Sequence, residues 1–407
     1  MTVLPGLSHP ALVLARIAAA VLCITSTGYC LFAIHCARAF FSRAASGRAA
    51  FTPPITVLKP VCGLDRSTYE NFASFCRQDY PEYQILFGAQ REDDPGIAVA
   101  RQLARDFPNV DIRVVIKGGS RAANPKVGTL AVLARAARHP FLLVSDSDIR
   151  VDATHLGALA RPMADPAVGV VTCLYRSAAV GLAGKLDALG LSTDFQPSVL
   201  VAEKIEGVSF GMGSGTLVRR SALDAAGGFA AMADSLADDY LLGNLLVRAG
   251  YRAALVPHVV EHELATSTLR GIVDHQMRWN RGIRAVRPGG YAGLLFTQAV
   301  PSGVLLLLFT GASPAGLAAC ALTLACRLAM SWFVAVRCLG DRDAGRSLWL
   351  VPMRDLLSYG LWLAAFFGKS VVWRGKRYRL EAGGRLAPEG AVLAEPDATL
   401  VGTRAAS

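Results

Sequence analysis

Residues 141–150, FLLVSDSDIR, decide how this chain folds. Phe141, Leu142, Leu143 and Val144 form a short apolar run, the pattern of a strand buried on both faces. The run stops at Ser145, and Asp146 and Asp148 follow, two carboxylates separated by one residue. At the end of a core strand such a pair has two uses. It can cap the helix expected in DATHLGALARPM, or it can hold a divalent ion such as Mg2+ or Mn2+ that grips a diphosphate. The spacing alone leaves both open.

Outward from this stretch the same alternation continues. ITVLKP (55–60), YQILFGAQ (83–90), DIRVVI (111–116), GVVTCLY (169–175) and RAALVPHVV (252–260) read as strands. GIAVARQLARDF (96–107) and KVGTLAVLARAA (126–137) between them carry helical spacing. Strands alternating with helices predict an α/β domain with a mainly parallel sheet, over residues 51–287. In such sheets ligands sit beyond the carboxyl ends of the strands, where Asp146 and Asp148 emerge.

The flanks are apolar. Ile17 to Ile34 is an uncharged run of 18 residues, about the length of a bilayer core. Arg38, Arg43 and Arg48 follow it, against Arg16 before it, so the positive-inside bias places the next domain in the cytoplasm. A signal peptide would show the opposite order, charge first and cleavage site after. Tyr291 to Cys326 is uncharged and is punctuated by Pro301 and GASPAG (311–316). It predicts a hairpin of two helices, near 292–310 and 315–336. The stretch 347–370 is interrupted by Pro352, Arg354 and Asp355, which predicts a re-entrant or interfacial segment. The expected organisation is a transmembrane helix with a basic flank in 1–50, the soluble domain in 51–287, membrane segments in 288–380, and a disordered tail in 381–407.

Composition agrees with this division. The 407 residues are 53% hydrophobic and 18% charged, too apolar for a wholly soluble protein and too charged for one that is all membrane. A net charge of +11 suits an anionic partner, either a phosphate-bearing substrate or an acidic lipid surface. No nucleic-acid partner is expected. The nine cysteines include no CxxC pair, which argues against a zinc site or disulfide framework.

Three further clusters carry chemistry. Asp93 and Asp94 precede Pro95, where an N-cap and a ligand contact are both available. In SLADDYLLGNLL (235–246), Ser235 and Asp238 have capping-box spacing, which leaves Asp239 in the first helical turn. The positive helix end there favours an ionised carboxylate, the form a proton acceptor needs. In DHQMRWNRGIRAVR (274–287), Arg278, Arg281, Arg284 and Arg287 recur every third residue, a stripe that suits anionic headgroups. Arg278 beside Trp279 also suits a diphosphate leaving group. Lys59 and Lys126 could each meet a phosphate or stand in solvent. Arg327 could snorkel or pair with an acid, and the glycines of FGMGSGTLV could admit a sugar or mark a bulge.

In their order these clusters resemble the inverting membrane glycosyltransferases of the GT-A fold, a Rossmann-like nucleotide-diphospho-sugar transferase domain. The chain is most similar to ceramide glucosyltransferases and their bacterial relatives. LKPVCGLD, DYPEYQILFGAQREDDP, NPKVGTL, DSDIRV, ADDY, RW and WRGKRYRL carry the likeness over roughly residues 55–380. GVVTCLYR, FQPSVLVAE and LADDYLLGNLL look like the branch associated with hopanoid biosynthesis.

The resemblance implies a UDP-sugar donor, a divalent cation, Mg2+ or Mn2+, and a membrane lipid acceptor, with the protein multi-pass in a bacterial inner membrane. Asp94 with Asp93 and Lys126 would meet the nucleotide-sugar, and Asp146 with Asp148 the metal diphosphate. Asp239 would be the general base, with Arg278 and Trp279 stabilising the departing UDP. The implied reaction moves N-acetylglucosamine onto a hopanoid polyol; the alternative moves glucose from UDP-glucose to ceramide. A processive polysaccharide synthase would need more membrane helices than the chain offers, and a non-catalytic nucleotide-sugar-binding protein is a further alternative. The chain departs from the pattern at His275, where the family has Gln or Arg, and at Asn280 and Gly282, which differ from the hopanoid branch. It departs again at Gln196, where animal ceramide enzymes carry a histidine.

Overall fold

The sheet grows in both directions from its first strand. The structure, a computed structural model, describes residues 8–43, 51–116, 122–264, 268–373 and 376–389. Arg48 and residues 390–407 of the expected tail lie outside them. Strands β1 (Ile55–Pro60), β2 (Tyr83–Ala89), β3 (Asp111–Ile116), β4 (Phe141–Val144), β5 (Ile149–Arg150), β6 (Val168–Ala178), β7 (Thr216–Arg219) and β8 (Arg252–Glu263) form one sheet. Their order is β3-β2-β1-β4-β7-β6-β8-β5. β1 pairs in parallel with β2 on one side and β4 on the other, and β2 with β3. β6 and β8 are also parallel; β7 runs antiparallel to both neighbours, as β5 does to β8. The chain therefore reverses its direction of growth between β1 and β4, the crevice at which open α/β sheets bind ligands.

Helices cover both faces because β1 and β2 alternate their apolar side chains between two layers. Ile55, Val57, Ile85 and Phe87 join one core, and Leu58 and Leu86 the other. The helices are α1 (His9–Ser42), α2 (Thr68–Cys76), α3 (Pro95–Asp106), α4 (Pro125–Ala136), α5 (His155–Ala160), α6 (Gly181–Gly190), α7 (Gln196–Glu206), α8 (Arg220–Ala225) and α9 (Asp238–Arg248). The sequence starts α3 and α4 in the same way. Asp94 and Asn124 are N-caps whose side chains accept backbone N–H groups, and proline fills the first turn.

The membrane-side elements are α10 (Leu269–Val286), α11 (Pro288–Gly293), α12 (Ala299–Phe309), α13 (Pro314–Ser331), α14 (Arg342–Arg346) and α15 (Val351–Ala364). Among the described residues two helices are long and apolar enough to cross a membrane, His9–Ser42 and the 25 residues Pro314–Cys338. The first arm of the expected hairpin is bent by 58° between Pro288–Thr297 and Ala299–Phe309. α15 has 14 residues and does not reach spanning length. α1 serves two packings: Ala19 and Cys23 pack with Leu306 of α12, whereas Cys30, Ala33, Cys36, Ala37 and Phe40 enter the core of the soluble domain.

Residues 381–389, expected with the disordered tail, are ordered. β9 (Ser370–Trp373), β10 (Lys376–Leu380) and β11 (Leu386–Pro388) form a second, antiparallel sheet. The apolar side chains of Tyr378, Leu380 and Leu386, diluted by arginines and glycines in the sequence, bury against Val371.

Candidate active site

β1, β4, α4 and α9 bring charge to one place beyond the sheet edge. Lys59, near the end of β1, is fully buried. Its Nζ donates to the Asp146 carbonyl at 2.7 Å and stands 3.8 Å over the Phe75 ring. Burial pushes its pKa down to about 7 against the pull of Asp148, Asp146 and Asp65. Lys59 thus fixes the backbone where β4 ends instead of standing in solvent.

Lys126, in the first turn of α4, points into three carboxylates. Its Nζ lies 2.8 Å from Asp146, 2.9 Å from Asp238 and 3.1 Å from Asp239. Burial opposes its charge, yet the three acids outweigh burial and hold its pKa well above the ordinary value. Three carboxylates facing one ammonium leave excess negative charge. Burial, then Asp238, raise the Asp239 pKa to about 8, only partly offset by Lys126. Burial also raises Asp146, with Lys126 opposing.

Gly213 makes room for this convergence. A Cβ there would lie 2.5 Å from Asp146 Oδ2 and 2.7 Å from Asp239 Oδ2, so only the lack of a side chain lets the two carboxylates close over this backbone. Asp148 stands next to them. Its Oδ2 lies 3.3 Å from His262 Nε2, and although burial opposes ionisation, His262 holds its pKa down. Asp148 Oδ1 is buried with no hydrogen-bond partner among the described residues. An orphaned carboxylate oxygen beside further hard oxygen donors fits a divalent cation. Among the described residues no group of three or more ligands forms a closed metal cage, so such a cation would need oxygens from elsewhere to complete its shell.

An aromatic wall joins this cluster to α10. His262 lies against Tyr175, with ring centroids 5.6 Å apart, and Tyr175 against Phe195 at 5.9 Å. Phe195 in turn meets Trp279 at 5.7 Å, edge to face. Arg278 precedes Trp279 on α10 and is half-buried. His275 is fixed by the fully buried Asp187, whose two oxygens take His275 Nδ1 at 2.9 Å and Gln276 Nε2 at 2.7 Å. The Gln196 amide is buried with no partner among the described residues.

The structure thus brings Lys126, Asp146 and Asp239 together, sets Asp148 beside them, and places Trp279 at the far end of the aromatic wall. Other expectations change. Asp94 spends both oxygens on the Gly63 N–H and one on the Gly96 N–H, so it caps α3 and shapes the turn after β1. Asp93 is exposed and pairs with Arg91. The Asp-x-Asp does not cap α5; Asp152 takes the Thr154 N–H instead. The Ser235–Asp238 capping box is absent. Ser235 accepts the Ala237 N–H, and Asp238 accepts from Asn124 and Lys126. The outer arginines of α10 also have protein partners: Arg281 and Arg284 donate to carbonyls of Phe366, Phe367, Gly368 and Ser370, and Arg287 pairs with Glu206.

Three participants carried little sequence signal: Asp238, which the capping spacing explained away, His262 and Gly213. The clue to Gly213 was the run of spaced glycines in FGMGSGTLV.

With this geometry in hand, known proteins that resemble the chain can be placed beside it. The model of the family described as glycosyl transferase family 21 matches residues 18–386. Ceramide glucosyltransferase 1 of Caenorhabditis elegans is 26% identical over 82% of this chain and 73% of its own length. Ceramide glucosyltransferase 3 of the same organism is 25% identical over 88% of this chain and 81% of its own. A ceramide glucosyltransferase of Komagataella phaffii is 37% identical over 26% of this chain and 21% of its own. A mannosyltransferase from Pyrobaculum calidifontis, solved in complex with GDP-Man and Mn2+, superimposes with a TM-score of 0.54 and 19% identity. It covers 87% of this chain and 99% of its own, which establishes a GT-A-like fold. These relatives favour the ceramide alternative over the hopanoid and N-acetylglucosamine expectation, which none of them supports.

Proposed function

The chain belongs to glycosyl transferase family 21, and from that premise we propose that it transfers glucose from UDP-glucose to the hydroxyl of a ceramide-type lipid, with inversion. The convergence of Asp146 and Asp239 over Gly213, with Lys126 bridging them, is the observation that supports this most. Its position beyond the switch between β1 and β4 is where a nucleotide-sugar would lie across the strand ends.

Asp239 accepts the proton of the lipid hydroxyl as the oxygen attacks the anomeric carbon from the face opposite UDP. Lys126 orients Asp239 by its ammonium contact and keeps Asp146 and Asp238 from repelling it out of position. Asp146 Oδ2 and Asp148 Oδ1 would hold a divalent cation, which supplies charge neutralisation for the donor diphosphate. Arg278 and Trp279, on the helix that leads into the membrane segments, stabilise the leaving UDP. Asp93 and Asp94 have no part in this scheme. The apolar helices keep the acceptor in the bilayer while the soluble domain works on the cytoplasmic side, in the orientation set by Arg38 and Arg43.

Divalent cations tighten donor binding in this scheme. Removing them with EDTA is expected to weaken UDP affinity by roughly tenfold, with Mn2+ or Mg2+ restoring it and Asp148→Asn blunting the restoration. Titration calorimetry reads this directly, and an affinity indifferent to EDTA argues against the cation site.

The reaction itself is tested with the purified protein in lipid nanodiscs. UDP-glucose and UDP-N-acetylglucosamine are each offered with ceramide and with a hopanoid polyol, and products are identified by mass spectrometry. Glucosylceramide is expected. A hopanoid glycoside alone, a long polysaccharide, or UDP binding without any UDP release would each replace this reading.

A further inference from the structure

The small C-terminal sheet is joined to the active-site loop by backbone hydrogen bonds running in both directions. Leu236 N–H donates to the Gly384 carbonyl at 3.1 Å, and Leu386 N–H to the Asp234 carbonyl at 2.7 Å. Between them Ser235 and Arg385 form an antiparallel bridge. The segment 234–236, immediately before Asp238 and Asp239, is therefore an extra edge on the β11 side of the sheet.

Its other side is held by the start of α4. Asn124 N–H donates to the Ala233 carbonyl at 2.9 Å and Asn124 Nδ2 to the Ser235 carbonyl at 2.8 Å. Asp234 Oδ1 accepts the Ala123 N–H at 3.0 Å. One apolar cluster closes the arrangement: Val371, Tyr378, Leu380 and Leu386 pack with Ala123, Leu236 and Ala285. Those last three belong to the segments carrying Lys126, Asp239, and Arg278 with Trp279. The fit is tight at Gly384, whose φ is +80° and where a Cβ would come 2.8 Å from Val286 of α10.

We infer that the C-terminal sheet, through Gly384 and Leu386, positions the loop that delivers Asp239 against Lys126. The inference rests on the assignment of Asp239 as base. Gly384 and Leu386 are positioning residues: they act on the donor and acceptor only through segment 234–236. A cover over the domain surface would need side-chain contact alone. Here the loop has lost its freedom through main-chain pairing on one side and Asn124 on the other, the arrangement that holds a reacting group in place. Because residues 384–386 form one side of this pairing, the site would be complete only once residues 381–389 had docked.

Full-length protein in nanodiscs tests this with Leu386→Ala, Gly384→Val and, as a control, Val372→Ala, whose side chain is 50% exposed on β9. Hydrogen–deuterium exchange is followed in the peptide 232–240, beside UDP affinity and sugar transfer. For Leu386→Ala and Gly384→Val, exchange in that peptide is expected to accelerate and kcat to fall about tenfold, with donor KM within about twofold of wild type. Val372→Ala should change none of these. Unchanged exchange overturns the inference, and so does accelerated exchange with wild-type kcat. A wild-type chain inactive with every acceptor would sink the assigned reaction, while exchange at 232–240 would still decide whether the sheet holds the loop. Should Gly384→Val not fold, Leu386→Ala, which only removes side-chain volume, gives the same reading.

Discussion

Asp239→Asn is expected to lower sugar transfer by roughly 10²–10⁴-fold, the range that a positioned general base contributes, while leaving UDP binding near wild type. The substitution keeps the shape of the side chain and an oxygen that can accept from Lys126 Nζ, which is 3.1 Å away in the native protein. It removes only the charge and the proton affinity. The pH profile separates this from a general loss of structure. Burial and Asp238 raise the native carboxyl to about 8, and its neutral form cannot accept a proton. Activity of the native protein therefore climbs from the acid side toward that pH, and a cation held at Asp146 moves the limb lower. Asp239→Asn has no carboxylate to ionise, so its residual activity should lack this limb. Steady-state rates from pH 5 to 9, with calorimetric UDP binding in parallel, decide the matter. Residual turnover close to wild type would remove Asp239 from the base role.

Part of this site was legible from residue order alone. FLLV followed by two aspartates reads as a buried strand ending at a ligand edge because period and charge are local signals, and the β1–β4 crevice stands there. Asp239 and Lys126 were legible as chemistry, although nothing local links residues 113 positions apart. Asp94 shows the converse. An acid before Pro95 can cap or bind; its cap, the Gly96 N–H, is local, but its second partner, the Gly63 N–H in the turn after β1, could not be read from the sequence. The α10 arginines looked like lipid anchors because a basic stripe beside apolar helices has that as its usual use. The actual partners of Arg281 and Arg284 are carbonyls of the chain after α15, about 80 residues away, and Arg287 pairs with Glu206. The order in 381–389 was hidden for a similar reason: it comes from pairing with β10 and with 234–236, which composition does not announce.

The same long-range logic governs Arg327 and Asp355, the charges that interrupt the C-terminal apolar stretches. They form a bidentate pair, with Arg327 Nε and Nη2 each 2.8 Å from an Asp355 oxygen and side-chain exposures of 4% and 8%. The remaining guanidinium nitrogen donates to the Thr193 carbonyl and to Ser331 Oγ, both at 2.7 Å. The pair thus ties α13 to α15 and both to the π-helical turn 191–195, whose Phe195 supports Trp279. Removing one partner strands a charge in apolar surroundings, so Arg327→Leu or Asp355→Leu alone is expected to destabilise the folded protein by about 3–5 kcal/mol. The double variant removes both members of the pair, and Asp194, which also faces Arg327, keeps Arg354 as its nearby cation. Only the Thr193 carbonyl and Ser331 hydroxyl lose a donor, so most of that stability should return, with a remaining deficit of about 1–3 kcal/mol. Thermal unfolding of all four proteins in the same nanodisc composition measures the coupling. If the single losses simply add in the double variant, the pair does not hold these helices together. If stability returns and transfer does not, the part of Arg327 that matters for turnover is its hold on the turn bearing Phe195.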